Sequence, residues 1–151
     1  MIKHLNHKEY STAEKILRIQ IPAYQIEADL IGFRDIPQLK ETAKDIADSE
    51  ETFIGCIIDN EIRGVLSYER DAETLNICRL VIHPNYFRLG IASTLLDYFL
   101  KQNTNNRVKV STGTKNIPAI TLYQSFKFMK TGEIEVAPGV SITVLEKWRT
   151  D

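Results

Sequence analysis

The sequence predicts an α/β fold in which a mixed, mostly antiparallel central sheet carries helices on both faces. Three observations predict it. Strand-like and helix-like stretches alternate along all 151 residues without a linker-like break. Apolar residues make up 43% and charged residues 26% of the chain, which is ordinary for a globular protein. The length suits one hydrophobic core. We therefore expect a single domain over residues 1–151.

The first third of the chain is predicted to form one strand and then helices. Residues 2–5 form the strand. Ser11 and Glu14 have the spacing of a capping box, which predicts a helix start. Pro22 is expected to interrupt that helix, with a second piece over residues 23–31. Pro37 is tolerated at an early helical position, so a further helix is predicted over residues 35–48.

Strands dominate the rest of the chain. Turn residues 59–61 between two apolar runs predict a β-hairpin. The predicted elements are hairpin strands 53–58 and 62–68, strand 75–82, helix 90–101, strand 108–111, helix 117–126, and closing strands 129–136 and 141–148. Pro138 and Gly139 provide the turn between the last two strands.

The junction after strand 75–82 is the most informative stretch. The strand ends at His83-Pro84, and the next helix starts at Gly90 a few residues later. A helix start leaves backbone N–H groups without intrahelical partners and carries a positive dipole end, which suits a phosphate. Gly90 and the small Ala92 allow an anion to approach the backbone. On these residues alone, an ordinary strand–turn–helix junction is an equal alternative.

The same stretch resembles the cofactor-binding motif of the GNAT superfamily of acetyl-CoA-dependent N-acetyltransferases, Gln/Arg-x-x-Gly-x-Gly/Ala. Gly90 and Ala92 match its last two positions, while Phe87 stands at the first with Arg88 after it. The resemblance implies a GNAT-type fold and acetyl-CoA as the cofactor. It implies cofactor contacts from Val81, Ile82, Phe87, Arg88, Leu89, Gly90, Ile91, Ala92, Ser93 and Asn116.

A second stretch, from Asn116 to Phe128, resembles the later GNAT motif Asn-x-x-Ala-x-x-Leu-Tyr-x-x-x-Gly-Phe. Lys127 replaces the usual glycine. Asn116 is a natural helix N-cap. By resemblance, Tyr123 is the catalytic residue, a general acid that protonates the departing CoA thiolate. The alternative is a tyrosine that only packs in the core at helical spacing.

The catalytic base stays open at this point. Some family members place a glutamate 11 positions before the first motif, where this chain has Asn76, which cannot serve. The nearby candidates are Glu27, Asp29 and His83, or a chain of water molecules. His83 has a suitable ordinary pKa but is also a natural turn residue.

Three residues are candidates for substrate binding, namely Glu27, Arg79 and His83, and two of them have a further open interpretation. Glu27 is a candidate substrate anchor or an exposed helix acid. Arg79 is a candidate for binding a substrate carboxylate or a member of a structural ion pair.

Charge and cysteine usage limit the function classes. The formal net charge of −1 argues against nucleic-acid binding. No apolar run reaches membrane-spanning length and the N terminus lacks a signal-peptide core, so we expect no membrane association and a cytoplasmic protein. Cys56 and Cys78 lie in apolar runs typical of buried free thiols. The three histidines lack short spacing, so no metal site is expected.

The charges are also unevenly distributed. Residues 87–130 hold seven basic side chains and one acid, Asp97, whereas residues 24–51 hold eight acids and three bases. A cationic segment favours a polyanion such as CoA, and an acidic segment favours a cationic amine. Two solvated faces of opposite sign are the alternative.

The function expected from the sequence is acetyl transfer from acetyl-CoA to a primary amine of a small molecule, by direct attack in a ternary complex. The alternatives are acetylation of a peptide or protein N terminus and a non-catalytic acyl-CoA-binding module. A homodimer is a further partner option.

Overall fold

The computed structural model describes residues 1–148, so the last three residues of the predicted single domain lie outside it. The elements are β1 (Ile2–His4), α1 (Tyr10–Ile31), a 3₁₀ helix (Pro37–Lys40), α2 (Ala43–Ala47), β2 (Thr52–Ile58), β3 (Glu61–Asp71), β4 (Thr74–Ile82), a second 3₁₀ helix (Pro84–Tyr86), α3 (Ile91–Gln102), β5 (Arg107–Gly113), α4 (Ile117–Ser125), β6 (Met129–Ala137) and β7 (Val140–Lys147). The predicted hairpin, the helices after it and the closing strand pair are confirmed, with ends that differ by a few residues.

Across residues 1–148, seven strands form one sheet in the order β1-β2-β3-β4-β5-β7-β6. The β4–β5 pair is parallel and the other pairs are antiparallel, so the predicted mixed, mostly antiparallel sheet is confirmed. Alternate residues of the strands point to opposite faces. Phe53 and Val65 pack under α1 and α2, whereas Ile54 and Leu66 pack under α3. Helices therefore cover both faces, as predicted.

The prediction for α1 was wrong in two respects. The helix begins at Tyr10 after Glu9, which makes no side-chain capping bond, so the box at Ser11 does not form. Pro22 lies inside one continuous helix of 22 residues. Proline removes one backbone hydrogen bond, but buried side chains before and after it, such as Ile19 and Tyr24, hold both halves against the sheet.

The predicted helix over residues 35–48 is also wrong as a single element. Its first part is the 3₁₀ helix after Ile36, and Glu41 and Thr42 are extended. The Thr42 side chain accepts a hydrogen bond from Asp45 N, and Asp45 accepts one from Thr42 N. Because this capping box satisfies the N–H groups of Thr42 and Asp45, which a continuous helix would have bonded internally, α2 begins as a separate helix. Among residues 1–148, no helix is long and apolar enough to cross a membrane.

A β-bulge in β4 decides which way its later side chains point. Ser67 pairs with Arg79 and Tyr68 pairs with Ile77, which leaves Cys78 without a partner on β3. Because strand side chains alternate, one extra residue reverses the alternation. Ile77 therefore belongs to the core under α3, while Arg79 and Val81 face α1.

Candidate active site

The bulge also marks the point where β4 and β5 separate. Their parallel ladder ends at Ile77 and Val110. Beyond it, residues 78–82 and 111–113 line opposite walls of a cavity of about 800 Å³. α1, α4, the start of α3 and the β6–β7 hairpin complete the lining. Strand edges that diverge leave backbone groups without ladder partners, and a ligand that carries amide groups can bond to them.

At one end of this cavity lies the start of α3. Gly90 is the N-cap, with φ of 77° and no capping side chain. Arg88 also has a left-handed backbone, with φ of 65°. Such residues before a helix turn successive N–H groups towards one concavity that suits an anion. A Cβ on Gly90 would meet nothing within 4 Å, so its left-handed φ, not a neighbouring side chain, is what favours glycine.

Two features of this end fit the pyrophosphate of CoA. The amides of Ile91, Ala92 and Ser93 are in the first turn of α3, where no intrahelical acceptor exists. Arg88 lines the cavity, and its guanidinium has no ion-pair partner among residues 1–148. A positive helix end with an uncompensated arginine beside it attracts a phosphate.

The structure brings most of the predicted cofactor residues to this cavity. Those that line it are Val81, Ile82, Phe87, Arg88, Ile91, Ala92 and Asn116. Leu89, Gly90 and Ser93 lie beside it on the surface and do not line it. Their part in the predicted site rests on their backbone N–H groups, which the exposed loop leaves accessible.

Tyr123 lies in the wall contributed by α4. Its side chain is 5% exposed and lines the cavity. Its hydroxyl makes no hydrogen bond within residues 1–148 and is not sealed from the cavity. Burial, and then the negative charge of Glu27, raise the pKa of Tyr123 above its ordinary value. The phenol therefore keeps its proton at neutral pH, as a general acid requires.

Glu27 reaches the same cavity from α1. Its Oε1 accepts a hydrogen bond of 2.8 Å from Asn116 Nδ2. The other end of the Asn116 side chain accepts a bond from Ala119 N and so caps α4. Burial raises the pKa of Glu27, and the bond from Asn116 only partly opposes that rise. The predicted N-cap role of Asn116 is thus observed, and the same side chain also holds Glu27.

Arg79 is buried in a network of acids. Its Nε, Nη1 and Nη2 donate to Glu51, Glu41 and Gln20 over distances of 2.6–3.1 Å, and Ser67 donates to Glu51. All five N–H donors of the guanidinium are thereby used. These contacts favour the structural ion pair that the sequence left open over a substrate-binding role.

The other candidates for the base lie outside the cavity lining. His83 Nδ1 accepts a hydrogen bond from Asn85 N, which favours the turn role. Asp29 is exposed and pairs with Arg34. Asn76 precedes the bulge and is not among the described residues that line the cavity.

Residues 23–148 match the sequence profile of a known family, described as acetyltransferase (GNAT) domain. The chain belongs to the GNAT acetyltransferase family. The match covers both motifs, the split between β4 and β5, and the part of α1 that carries Glu27. The family resemblance inferred from Gly90, Ala92 and the segment from Asn116 to Phe128 is therefore confirmed.

Individual proteins are similar to this GNAT chain to different extents. The UPF0157 protein YqkA of Bacillus subtilis (strain 168) is 42% identical over 145 residues, which cover 95% of this chain. The chain spans only 42% of the length of that relative. The structure is also similar to the paia N-acetyltransferase from Thermoplasma acidophilum in complex with coenzyme A, with a TM-score of 0.76, 14% identity and 98% coverage of each chain.

A further similar structure is the ribosomal-protein-S18-alanine N-acetyltransferase from Escherichia coli. The TM-score is 0.70 at 16% identity, over 97% of this chain and 91% of that chain. At such identities, both structures support the GNAT fold alone.

Sequence reasoning missed one residue of this GNAT site. Tyr24 lies one helical turn before Glu27, lines the cavity and is 8% exposed. Burial, and then the charge of Glu27, raise its pKa. A tyrosine and an acid three residues apart share one helix face, and that spacing is the signal that was available.

Proposed function

We propose that this GNAT protein transfers the acetyl group of acetyl-CoA to a primary amine of a small molecule. The observation that carries the proposal is one cavity that holds three features. The start of α3 with Arg88 suits a pyrophosphate, Tyr123 offers a protonated phenol, and Glu27 offers a carboxylate. Anion binding, a proton donor and an anchor for a cation are what acetyl transfer to an amine requires.

In this proposal, residues at different positions along the cavity bind the cofactor and donate a proton. Backbone N–H groups of residues 87–93, together with Arg88, would hold the phosphates. Acetyl-CoA supplies a thioester whose carbonyl carbon is open to attack by a neutral amine. Tyr123 would supply a proton to the sulfur as negative charge develops there, and burial keeps this proton in place until it is needed.

The acceptor end of the cavity supports an amine attached to an apolar body. Ala23, Ile26 and Leu30 lie within about one helical turn of Glu27 on α1, and Val136 and Val140 of the β6–β7 hairpin line the same cavity. Ile26, Leu30 and Val136 are between 43% and 49% exposed, which is high for large apolar side chains. An apolar substituent would cover them while its ammonium group faces Glu27.

Direct transfer is favoured over an acetylated enzyme. Cys78 is the cysteine that lines the cavity. Burial raises the pKa of its thiol to about 12, with the charges of Glu51 and Glu69 acting in the same direction. A thiol that stays protonated at neutral pH is a poor nucleophile. The acceptor amine therefore attacks acetyl-CoA itself, in a ternary complex. Free thiols at Cys56 and Cys78 also suit the proposed cytoplasmic location.

A panel of acceptors tests the proposal. Thiol release from acetyl-CoA is measured with alkylamines, aralkylamines, diamines and short peptides, and acetyl-CoA binding is measured by calorimetry. We expect at least one primary amine with an apolar substituent to raise thiol release well above the rate without acceptor. Turnover with peptides alone would favour peptide N-terminal acetylation. Tight binding of acetyl-CoA without turnover by any acceptor would favour the binding module.

A further inference from the structure

The cavity contains one carboxylate that no cation of the described chain neutralises. The ionisable carboxyl and cationic groups that line it within residues 1–148 are Glu27, Asp35, Arg79 and Arg88. Asp35 forms an ion pair with Lys40 at the surface, and Arg79 forms ion pairs with Glu41 and Glu51. Arg88 lies at the phosphate end. Glu27 is therefore the free acid at the end where we place the acceptor.

Glu27 is held so that one oxygen faces the cavity. Asn116 fixes Oε1, and because Asn116 also caps α4, its own position is set by that helix. Oε2 has no partner within the described residues and is not sealed from the cavity. A carboxylate with one oxygen fixed and the other open is oriented to accept a proton from a bound ligand.

The groups around Glu27 come from three elements. Tyr24 of α1 and Tyr123 of α4 face it as neutral phenols, and Asn116 is a neutral amide. On β4, the positive charge of Arg79 is offset by Glu41 and Glu51. Burial therefore dominates and keeps the pKa of Glu27 above its ordinary value.

We infer that Glu27 is the general base of the reaction, and that Asn116 is the positioning residue that holds it. The inference rests on the proposed function. The step is a proton transfer: an N–H bond of the substrate ammonium breaks and an O–H bond to Glu27 Oε2 forms. The nitrogen lone pair that this releases can then attack the thioester. After the product leaves, the carboxyl returns the proton to water.

The experiment separates a base from a simple ammonium anchor. It uses the best amine of the panel and an analogue with two fluorine atoms on the carbon next to the aminomethyl group. At mildly alkaline pH the parent amine is still an ammonium ion, whereas the fluorinated amine is largely neutral and needs no base. The variants are Glu27→Gln, Glu27→Asp and, as a matched control on the same helix, Asp29→Asn, whose carboxylate is exposed and paired with Arg34.

We expect Glu27→Gln to lower kcat/KM for the parent amine by about 10²-fold or more, the range of general base catalysis. The loss with the fluorinated amine should be much smaller. The acid limb set by Glu27 should disappear, so that the rate with the parent amine follows only the fraction of neutral amine. Glu27→Asp should retain part of the activity, and Asp29→Asn should match the wild type. Equal losses with the two amines, or no loss, would overturn the inference while the proposed function stands. A wild type that acetylates no amine would overturn both.

A titration of the free protein gives a second readout that needs no turnover. NMR of the labelled carboxyl carbon of Glu27 should show a midpoint above the ordinary range for glutamate. Asn116→Ser keeps a capping hydroxyl for α4 but is too short to reach Glu27, so it should raise that midpoint further. It should also lower kcat, and the loss should be smaller for the fluorinated amine, which needs no base. A Glu27 midpoint in or below the ordinary range would contradict the assignment.

Discussion

The two ends of the cavity are built in different ways. The phosphate end comes from one continuous stretch, residues 81–93, and offers backbone N–H groups at a helix start. The acceptor end is assembled from side chains of separate elements, including Tyr24 and Glu27 of α1, Arg79 of β4 and Tyr123 of α4. A backbone site depends on conformation and tolerates many side chains, so Phe87 at the first motif position is compatible with the proposed site. A side-chain site depends on each residue and on the contacts that hold it.

The largest effect is expected at the acceptor end. Tyr123→Phe keeps the ring and its contact with Phe128 but removes the proton donor. Because general acid catalysis contributes about 10²–10⁴-fold, kcat should fall by at least about 10²-fold with little change in acetyl-CoA affinity. Steady-state kinetics and calorimetry measure the two. Tyr98→Phe, on α3 away from the cavity lining, is the control. Full activity in Tyr123→Phe would show that this tyrosine only packs in the core.

The second prediction concerns the support of the acceptor end. Arg79→Met leaves Glu41 and Glu51 facing each other without their shared cation, and breaking a buried ion pair costs about 3–5 kcal/mol. Urea unfolding should show this loss. The control Arg34→Met breaks the exposed pair with Asp29, which is worth about 0–1 kcal/mol. Equal stability of the two variants would mean that the Arg79 network does not hold this region together.

The Arg79 network also predicts that the protein loses stability at acidic pH. Burial acts to raise the pKa of Glu51, but the hydrogen bonds from Arg79 and Ser67 outweigh it and lower that pKa overall. A carboxyl with a lowered pKa in the folded state stabilises the fold above its ordinary range and loses that contribution as pH falls through the lowered value. The free energy of unfolding should therefore fall on acidification, and this fall should be weaker in Glu51→Gln, with Glu50→Gln as the exposed control.

A smaller effect is expected at the phosphate end. Gly90→Val forces a β-branched residue into φ of 77°, so the loop must shift and turn its N–H groups away. Losing one charge-assisted hydrogen bond costs about 1.5–3 kcal/mol, so CoA affinity should fall about 10–100-fold while the fold remains. Gly139→Val, at φ of 74° in the β6–β7 turn, carries the same backbone strain. Calorimetry that finds equal CoA binding by wild type and Gly90→Val would remove the phosphate assignment.

The smallest effect is expected at Arg88. Its side chain adds charge beside a site that the backbone already forms, and an exposed charge pair is worth about 0.2–1 kcal/mol. Arg88→Gln should weaken CoA binding about two- to fivefold at low salt, and the difference should shrink as salt screens the charge. Lys3→Gln on β1 is the control. A loss as large as that of Gly90→Val would mean that this end, too, depends on a side chain.

The difference between the two ends of the cavity also explains which parts of the site could be predicted from the sequence. The proposed phosphate end is local in sequence, so Gly90 and Ala92 were enough to predict it. The contact between Glu27 and Asn116 joins residues 89 positions apart, and Arg79 meets Gln20 across 59 positions. No local pattern signals such contacts, which is why the role of Arg79 stayed open. Tyr24 was missed although its spacing from Glu27 was visible, because nothing local shows that this face of α1 lines the cavity.

Prediction of the fold from the sequence is limited in a similar way. The order of strands and helices followed from alternation and turn residues. The continuity of α1 through Pro22 did not, because packing on either side of the proline decides it. The bulge at Cys78 was also invisible, since nothing in the β4 sequence itself marks the residue that lacks a partner.

Hydrogen bonding across the sheet joins β1–β4 to β5–β7 through four residue pairs, from Thr74 with Arg107 to Ile77 with Val110. A ligand lodged between the separated ends of β4 and β5 contacts both halves and binds the folded protein only. Its binding therefore adds to the free energy of unfolding in proportion to the logarithm of its concentration. If the proposed cofactor is that ligand, the thermal stability of this protein in a cell is a function of metabolic supply as well as of sequence.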